Sequence, residues 1–247
     1  MRTLRLLRGK VFNSLRLPFT SPSRGPSVSL CAKVVLMSRT ESTMVQLGTI
    51  APAFELTDVL TGHAMSRDDV FALSWDDALS DAANIAVTGG PAQKHGLLVM
   101  FLCVHCPYVK HLEQGIADVA CDYAGKIAFC AIQSNDIAAY PDDSPDNMRA
   151  QAKRLGWNFP YLLDATQEVA RSYEAACTPD FFLFNGAMEL VYRGQFDDSR
   201  PRRGDFGNDT PVTGKDLRAA LDAVIAGKRP DPNQRASIGC NIKWRES

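Results

Sequence analysis

Two of the seven cysteines in this 247-residue chain stand close enough to work as a pair, in Cys103-Val104-His105-Cys106. Only the thiolate form of cysteine attacks a disulfide or a peroxide, so such a pair needs one activated sulfur and one within reach to resolve the bond it forms. A two-residue gap at a helix start meets that need. His105, with Lys110 and His111 one turn on, adds the nearby cations that lower a thiol pKa. Cys103, at the end of an apolar run, is expected to be the attacking thiolate, stabilised by the first-turn N–H groups and the helix dipole. Cys106, within the first turn, is then the resolving thiol. The expected chemistry is a reversible disulfide carrying two electrons, and it calls for no bound organic cofactor. A metal-handling module is the alternative of another class, with Cys103, Cys106 and one of His105 or His111 as soft ligands. The chain lacks the second Cys or Cys/His pair that a structural zinc site wants, so no metal is assigned.

The other cysteines separate by context. Cys121 on a helix pattern and Cys130 in an apolar strand pattern read as core, where a free cysteine is ordinarily inert. Cys177 precedes Thr178-Pro179 and is either a third thiol facing the site or a small buried residue, the latter being preferred. Cys240 follows the loop-like Lys228-Arg229-Pro230-Asp231-Pro232 and is either a returning resolving thiol or a tail anchor.

The surrounding elements are those that position a redox pair. Leu97 to Leu102 is an apolar run of strand length, and Val109, Leu112, Ile116, Val119 and Ala120 then recur at helical spacing behind Pro107. Ile127–Gln133 reads as a second buried strand. Ser144-Pro145 opens a helix to about Leu155, Phe159 to Leu163 is a short segment, and Thr166 to Ala176 is a further helix. Strands at Phe181–Phe184 and Leu190–Tyr192 flank the turn-forming Asn185-Gly186. Thr213 and Asp216, arranged like a capping box, open a last helix from Leu217 to Ile225. Tyr140 to Ser144 reads as a capped turn or as a rim of the site. This order gives an α/β domain, a mixed central sheet with helices on both faces.

Four stretches then resemble one family. Gly48-Thr49-Ile50-Ala51-Pro52-Ala53-Phe54-Glu55-Leu56 is similar to the opening segment, and Phe101 through His111 to the active-site turn, of the alkyl hydroperoxide reductase/thiol-specific antioxidant superfamily. Cys177-Thr178-Pro179-Asp180 resembles the cis-proline element, and Leu190 to Gly194 with Gly239-Cys240-Asn241-Ile242-Lys243-Trp244 complete the match. Within the superfamily the chain most resembles the peroxiredoxin-like thioredoxin family, over residues 45–245, with Val104 where Asn is usual. The resemblance implies a thioredoxin-like fold and a protein or small-molecule disulfide or peroxide as substrate. It also implies a thiol electron donor, a homodimer as peroxiredoxin relatives often form, and a backbone dock for an extended substrate at Thr178 and Pro179. It offers a second order as well: Cys106-Pro107 matches the peroxide-reducing position, Cys103 replaces a Thr, and Arg193 is the candidate arginine.

Composition bounds the rest. The net charge of −1 excludes a strongly basic nucleic-acid face, and no apolar run approaches the roughly 20 residues of a membrane span. Eight of the 27 basic residues precede Glu41, and no acidic residue does. Residues 1–43 therefore read as a transit peptide, mitochondrial by preference and plastid by alternative, or as a disordered basic leader on a cytoplasmic protein whose start is misassigned. Residues 44–247 form the domain, with 70–93 as an insertion and 228–247 as a C-terminal tail.

Overall fold

The computed structural model describes residues 39–73, 94–202 and 207–246. The leader up to residue 38 and most of the 70–93 insertion lie outside these. The insertion's first residues instead close a helix, α1 (Arg67–Ala72), whose Val70 is buried. Residues 39–43 also belong to the fold. Strand β1 (Arg39–Glu41) pairs with the C-terminal β10 (Ile238–Asn241), and the Ser42 N–H donates to Ser237 O.

A seven-stranded mixed sheet carries the domain in the order β3-β2-β6-β5-β4-β8-β9. Its strands are β2 (Glu55–Asp58), β3 (Ala64–Ser66), β4 (Gly96–Phe101), β5 (Ile127–Gln133), β6 (Tyr161–Leu163), β8 (Asp180–Asn185) and β9 (Leu190–Tyr192). The central β4 runs parallel to β5 and antiparallel to β8. Every residue of β4 and β5 is buried, which is why both read as apolar runs rather than alternating ones. Period-two alternation sends Leu98, Met100 and Leu102 to one face, under α2 (Pro107–Asp122), α3 (Pro145–Leu155) and α5 (Lys215–Ile225). Leu97, Val99 and Phe101 go to the other, against Val70 of α1 and Val169 and Ala170 of α4 (Glu168–Ser172). A second, three-stranded sheet, β1-β10-β7, holds the short β7 (Cys177–Thr178).

Several local expectations are corrected. The helix expected over Thr166 to Ala176 is only the single turn α4, with Gln167 at positive φ ahead of it. No capping box opens α5: its N-cap is Gly214 at φ +68, and the Asp216 carboxylate instead accepts from Gln195. The β8–β9 loop extends beyond Asn185-Gly186 to Glu189, tied by Asn185 Oδ1, which accepts from the N–H groups of Ala187 and Glu189. Cys121 is exposed on α2 rather than core, whereas Cys130 is fully buried.

Candidate active site

Strand β4 ends at Phe101 and α2 begins at Pro107, so the Cys103–Cys106 segment is the connection between them. Proline at the first helical position fixes the helix start there, which makes Cys106, not Cys103, the N-cap. This overturns the ground for expecting Cys103 as the thiolate. The Cys106 side chain makes no capping hydrogen bond with the first turn, but it sits at the positive end of the helix dipole.

Both sulfurs are buried at 0% exposure. Cys103 Sγ lies 3.2 Å from Thr178 Oγ1, and the Cys106 thiol donates to Thr178 O at 3.1 Å. That second bond belongs to the neutral thiol and is given up on ionisation. Burial also opposes a Cys106 thiolate. Against both stand the thiols of Cys103 and Cys240 and the backbone N–H groups of Val109 and Cys240, which together hold the Cys106 pKa well below its ordinary value. Cys103 goes the other way: burial, then the Cys106 partner and the charge of Asp143, push its thiol up. The two thiols are thus shifted in opposite directions.

Asp143, on the 3-10 turn Pro141–Asp143, holds the connecting segment in shape. Its Oδ1 accepts from the backbone N–H groups of Val104 (2.8 Å) and His105 (3.1 Å). Its Oδ2 faces His105 Nδ1 at 2.6 Å and accepts from Asn135 Nδ2 at 2.8 Å. Burial would raise this carboxyl, but the bonds from His105 and Asn135 keep it below the usual carboxylate range. An ionised carboxylate only accepts, so the His105 proton sits on Nδ1; Nε2 is buried without a protein partner. The His105 ring stacks on Tyr140, 5.7 Å between centroids. Tyr140 to Ser144 is therefore part of the site and more than its rim. The sequence signal was the position of this stretch after β5; the role of Asp143 was not legible.

The structure brings Cys103, Cys106, His105, Thr178 and Cys240 together and leaves Lys110 exposed on α2. His111 points into a pocket beside Pro179, with Tyr108, Phe196, Asp197 and Arg200, where its Nε2 meets Ser199 Oγ at 3.1 Å. Arg193 is spent elsewhere, donating to Val45 O and Gln234 Oε1. Cys177 is buried and burial pushes its thiol up. Thr178–Pro179 is cis, as expected. Of the side chains able to ligate a metal, Cys103 Sγ, one ring nitrogen of His105 and one Asp143 oxygen lie within 4.8 Å of one another. A metal there would compete with the bonds Asp143 already makes.

The expected substrate dock is occupied. Strand β10 pairs antiparallel with β7, Cys240 opposite Thr178 and Asn241 opposite Cys177. The Ile242 N–H donates to Ala176 O, and hydrogen-bonded pairs recur every second residue along such a ladder. Thr178 and Cys240 are thus a bonded pair, and the backbone groups of Thr178 face the chain's own tail.

A search of curated proteins finds no match. Among solved structures, an uncharacterised conserved protein from Geobacillus kaustophilus is 44% identical, with a TM-score of 0.72 over 85% of this chain and 98% of its own. A hypothetical protein from Sinorhizobium meliloti is 42% identical, with a TM-score of 0.72 over 84% of this chain and 100% of its own. The fold is thioredoxin-like, a mixed sheet with helices on both faces. The AhpC/TSA family matches residues 47–193, more than half of the sequence, and with the dithiol turn inside that span the chain belongs to the AhpC/TSA family.

Proposed function

We propose that this protein is a two-cysteine thiol oxidoreductase that reduces a small hydroperoxide, with Cys106 as the attacking thiolate and Cys103 as the resolving thiol. The observation that carries this is the position of Cys106 as the N-cap of α2, at the positive end of the helix dipole and packed beside the buried Cys103 and Cys240. The Cys106 thiolate attacks one peroxide oxygen; an S–O bond forms, the O–O bond breaks and the alcohol or water leaves with a proton. Cys106 is then a sulfenic acid. Cys103 displaces its hydroxyl as water and closes the Cys103–Cys106 disulfide, which a thiol electron donor reduces. Asp143 and His105 position the segment that carries both sulfurs.

A small oxidant is favoured over a protein disulfide for two reasons. Neither sulfur is exposed, and β10 already pairs with the backbone of Thr178 that an extended peptide would need. Single-turnover reaction of each serine variant with hydrogen peroxide and with a protein disulfide tests the order. Cys103→Ser should form sulfenic acid on Cys106 rapidly, and Cys106→Ser should be inert to peroxide. A Cys106→Ser protein that traps a mixed disulfide on Cys103 would reverse the order and make this a protein-disulfide reductase.

A further inference from the structure

In the antiparallel pair of β7 and β10, directly opposed residues project their side chains to the same face, with Cβ atoms about 4.5–5.5 Å apart. The Thr178 side chain meets Cys103 Sγ, so the Cys240 side chain opposite it faces the same dithiol. Cys240 is 2% exposed and packs in one cluster with Cys103 and Cys106. Its thiol and its backbone N–H both reach the Cys106 sulfur. The strand lies close against its dock. A Cβ on Gly239 would stand 2.1 Å from Thr178 O, and Ser237 Oγ donates to Pro179 O at 2.8 Å. The geometry is that of an extended substrate added to a strand edge, supplied here by the chain itself.

We infer that β10 is a built-in thiol substrate: Cys240, docked on Thr178, forms a second disulfide with Cys106 in competition with Cys103. This rests on the reading of Cys106 as the attacking thiolate. Two balanced steps lead to it. After peroxide has made the Cys106 sulfenic acid, the Cys240 thiolate attacks that sulfur, the S–O bond breaks and water leaves with the thiol proton. Starting from the Cys103–Cys106 disulfide, the Cys240 thiolate attacks Cys106 and Cys103 leaves as a thiolate that takes up the proton, with no net change in oxidation. Cys106 thereby has a partner on either side. When Cys103 is blocked, its sulfenic acid is still captured before it oxidises further to the sulfinic acid.

The test uses the full chain as wild type, Cys103→Ala, Cys103→Ser and Cys240→Ser. Each is treated with one equivalent of hydrogen peroxide or of diamide, quenched with N-ethylmaleimide and mapped by mass spectrometry without reduction. Wild type should give both the Cys103–Cys106 and the Cys106–Cys240 linkage. Both Cys103 variants should lose alkylatable Cys240 and gain Cys106–Cys240 as their main oxidised product, whereas Cys240→Ser should show only Cys103–Cys106. Cys103 variants in which Cys106 goes on to sulfinic acid while Cys240 stays alkylatable would overturn the inference. With Cys103–Cys106 intact in Cys240→Ser, that result would leave the dithiol reading standing. Cys106–Cys240 formed by diamide with no peroxide reaction at Cys106 would sink the peroxidase reading and keep the pairing. Should the Cys103 variants fail to melt cooperatively, the wild-type map decides: absence of Cys106–Cys240 there overturns the inference.

Discussion

Single residues decide the chemistry here through the hydrogen bonds they accept. Asp143 satisfies two backbone N–H groups, one imidazole and one amide from a fully buried position. Asp143→Ala leaves those donors without a partner in the interior, a change that costs about 3 kcal/mol when charged or multiple buried bonds are lost. We expect the denaturant midpoint to fall accordingly, and the peroxide reaction of Cys106 to slow by about tenfold or more as the connecting segment loosens. Stopped-flow fluorescence with the unfolding curve checks both. Cys106 itself should label with bromobimane at pH 5 at a rate nearly flat up to pH 7, since its thiolate is already formed there. Cys240→Ser trades a thiol donor for a hydroxyl at the same place, and Cys240→Ala removes it. The apparent pKa of Cys106 should rise by about one unit in the alanine variant, the loss expected for one donor to a charged sulfur. An acid titration of the thiolate's ultraviolet absorbance with the same midpoint in Cys240→Ala as in wild type would mean that the Cys240 thiol does not support the thiolate.

At the scale of elements, the site is a junction of a helix start and two short strands from distant parts of the sequence. The start of α2 supplies the N-cap, β7 supplies the floor, and β10 closes over both. Gly239 is the point where β10 comes too near Thr178 for any side chain. Gly239→Ala must therefore push β10 off β7, carrying Cys240 away from Cys106. Backbone cannot yield as a flexible side chain does, so the cost should match the overpacking range of about 1–3 kcal/mol or exceed it. The expected outcome is a lower melting temperature together with loss of the Cys106–Cys240 linkage, while Cys103–Cys106 still forms. A variant as stable as wild type, with the second linkage intact, would show that β10 tolerates displacement.

Across the whole molecule, stability and pH are linked through buried carboxyls. Asp180, next to Pro179, is fully buried with one oxygen unpartnered, and burial pushes its pKa up to about 7. A carboxyl whose folded pKa is raised contributes fully below its unfolded value and loses that contribution as pH rises through its folded value. Between its ordinary value of 3.8 and about 7, wild-type stability relative to Asp180→Asn should therefore fall with rising pH. The slope should approach about 1.4 kcal/mol per pH unit. Urea unfolding of both proteins at pH 5 and pH 8 measures the difference, and equal differences at the two pH values would refute it. The lowered carboxyls, Asp143 and Asp197, act in the opposite sense, their contribution being lost as pH falls below the ordinary carboxylate range. Fusion of the leader to a reporter tests the mitochondrial assignment, which a diffuse cytosolic signal would defeat.

The sequence by itself determined the elements whose signals are local. β5 is apolar from Ile127 to Ile132, closes on the buried polar Gln133 and lies where the residues predict, and the 3.6-residue spacing from Val109 to Ala120 marks α2 with Pro107 at its start. The CxxC pair, its strand-to-helix setting and the Thr178-Pro179 element were likewise legible, because each depends on neighbours within a few positions. The tertiary structure alone decided which cysteine caps the helix. A shift of three residues in where a helix begins moves the N-cap from Cys103 to Cys106, and helix ends are set by capping and packing more than by periodicity. It alone placed Asp143 under the dithiol turn and Cys240 beside Cys106, since those contacts join residues 38 and 134 positions apart along the chain. It also drew in residues 39–43, which composition had assigned to the leader. A three-residue strand has no pattern of its own; β1 exists because β10 offers it an edge to pair with.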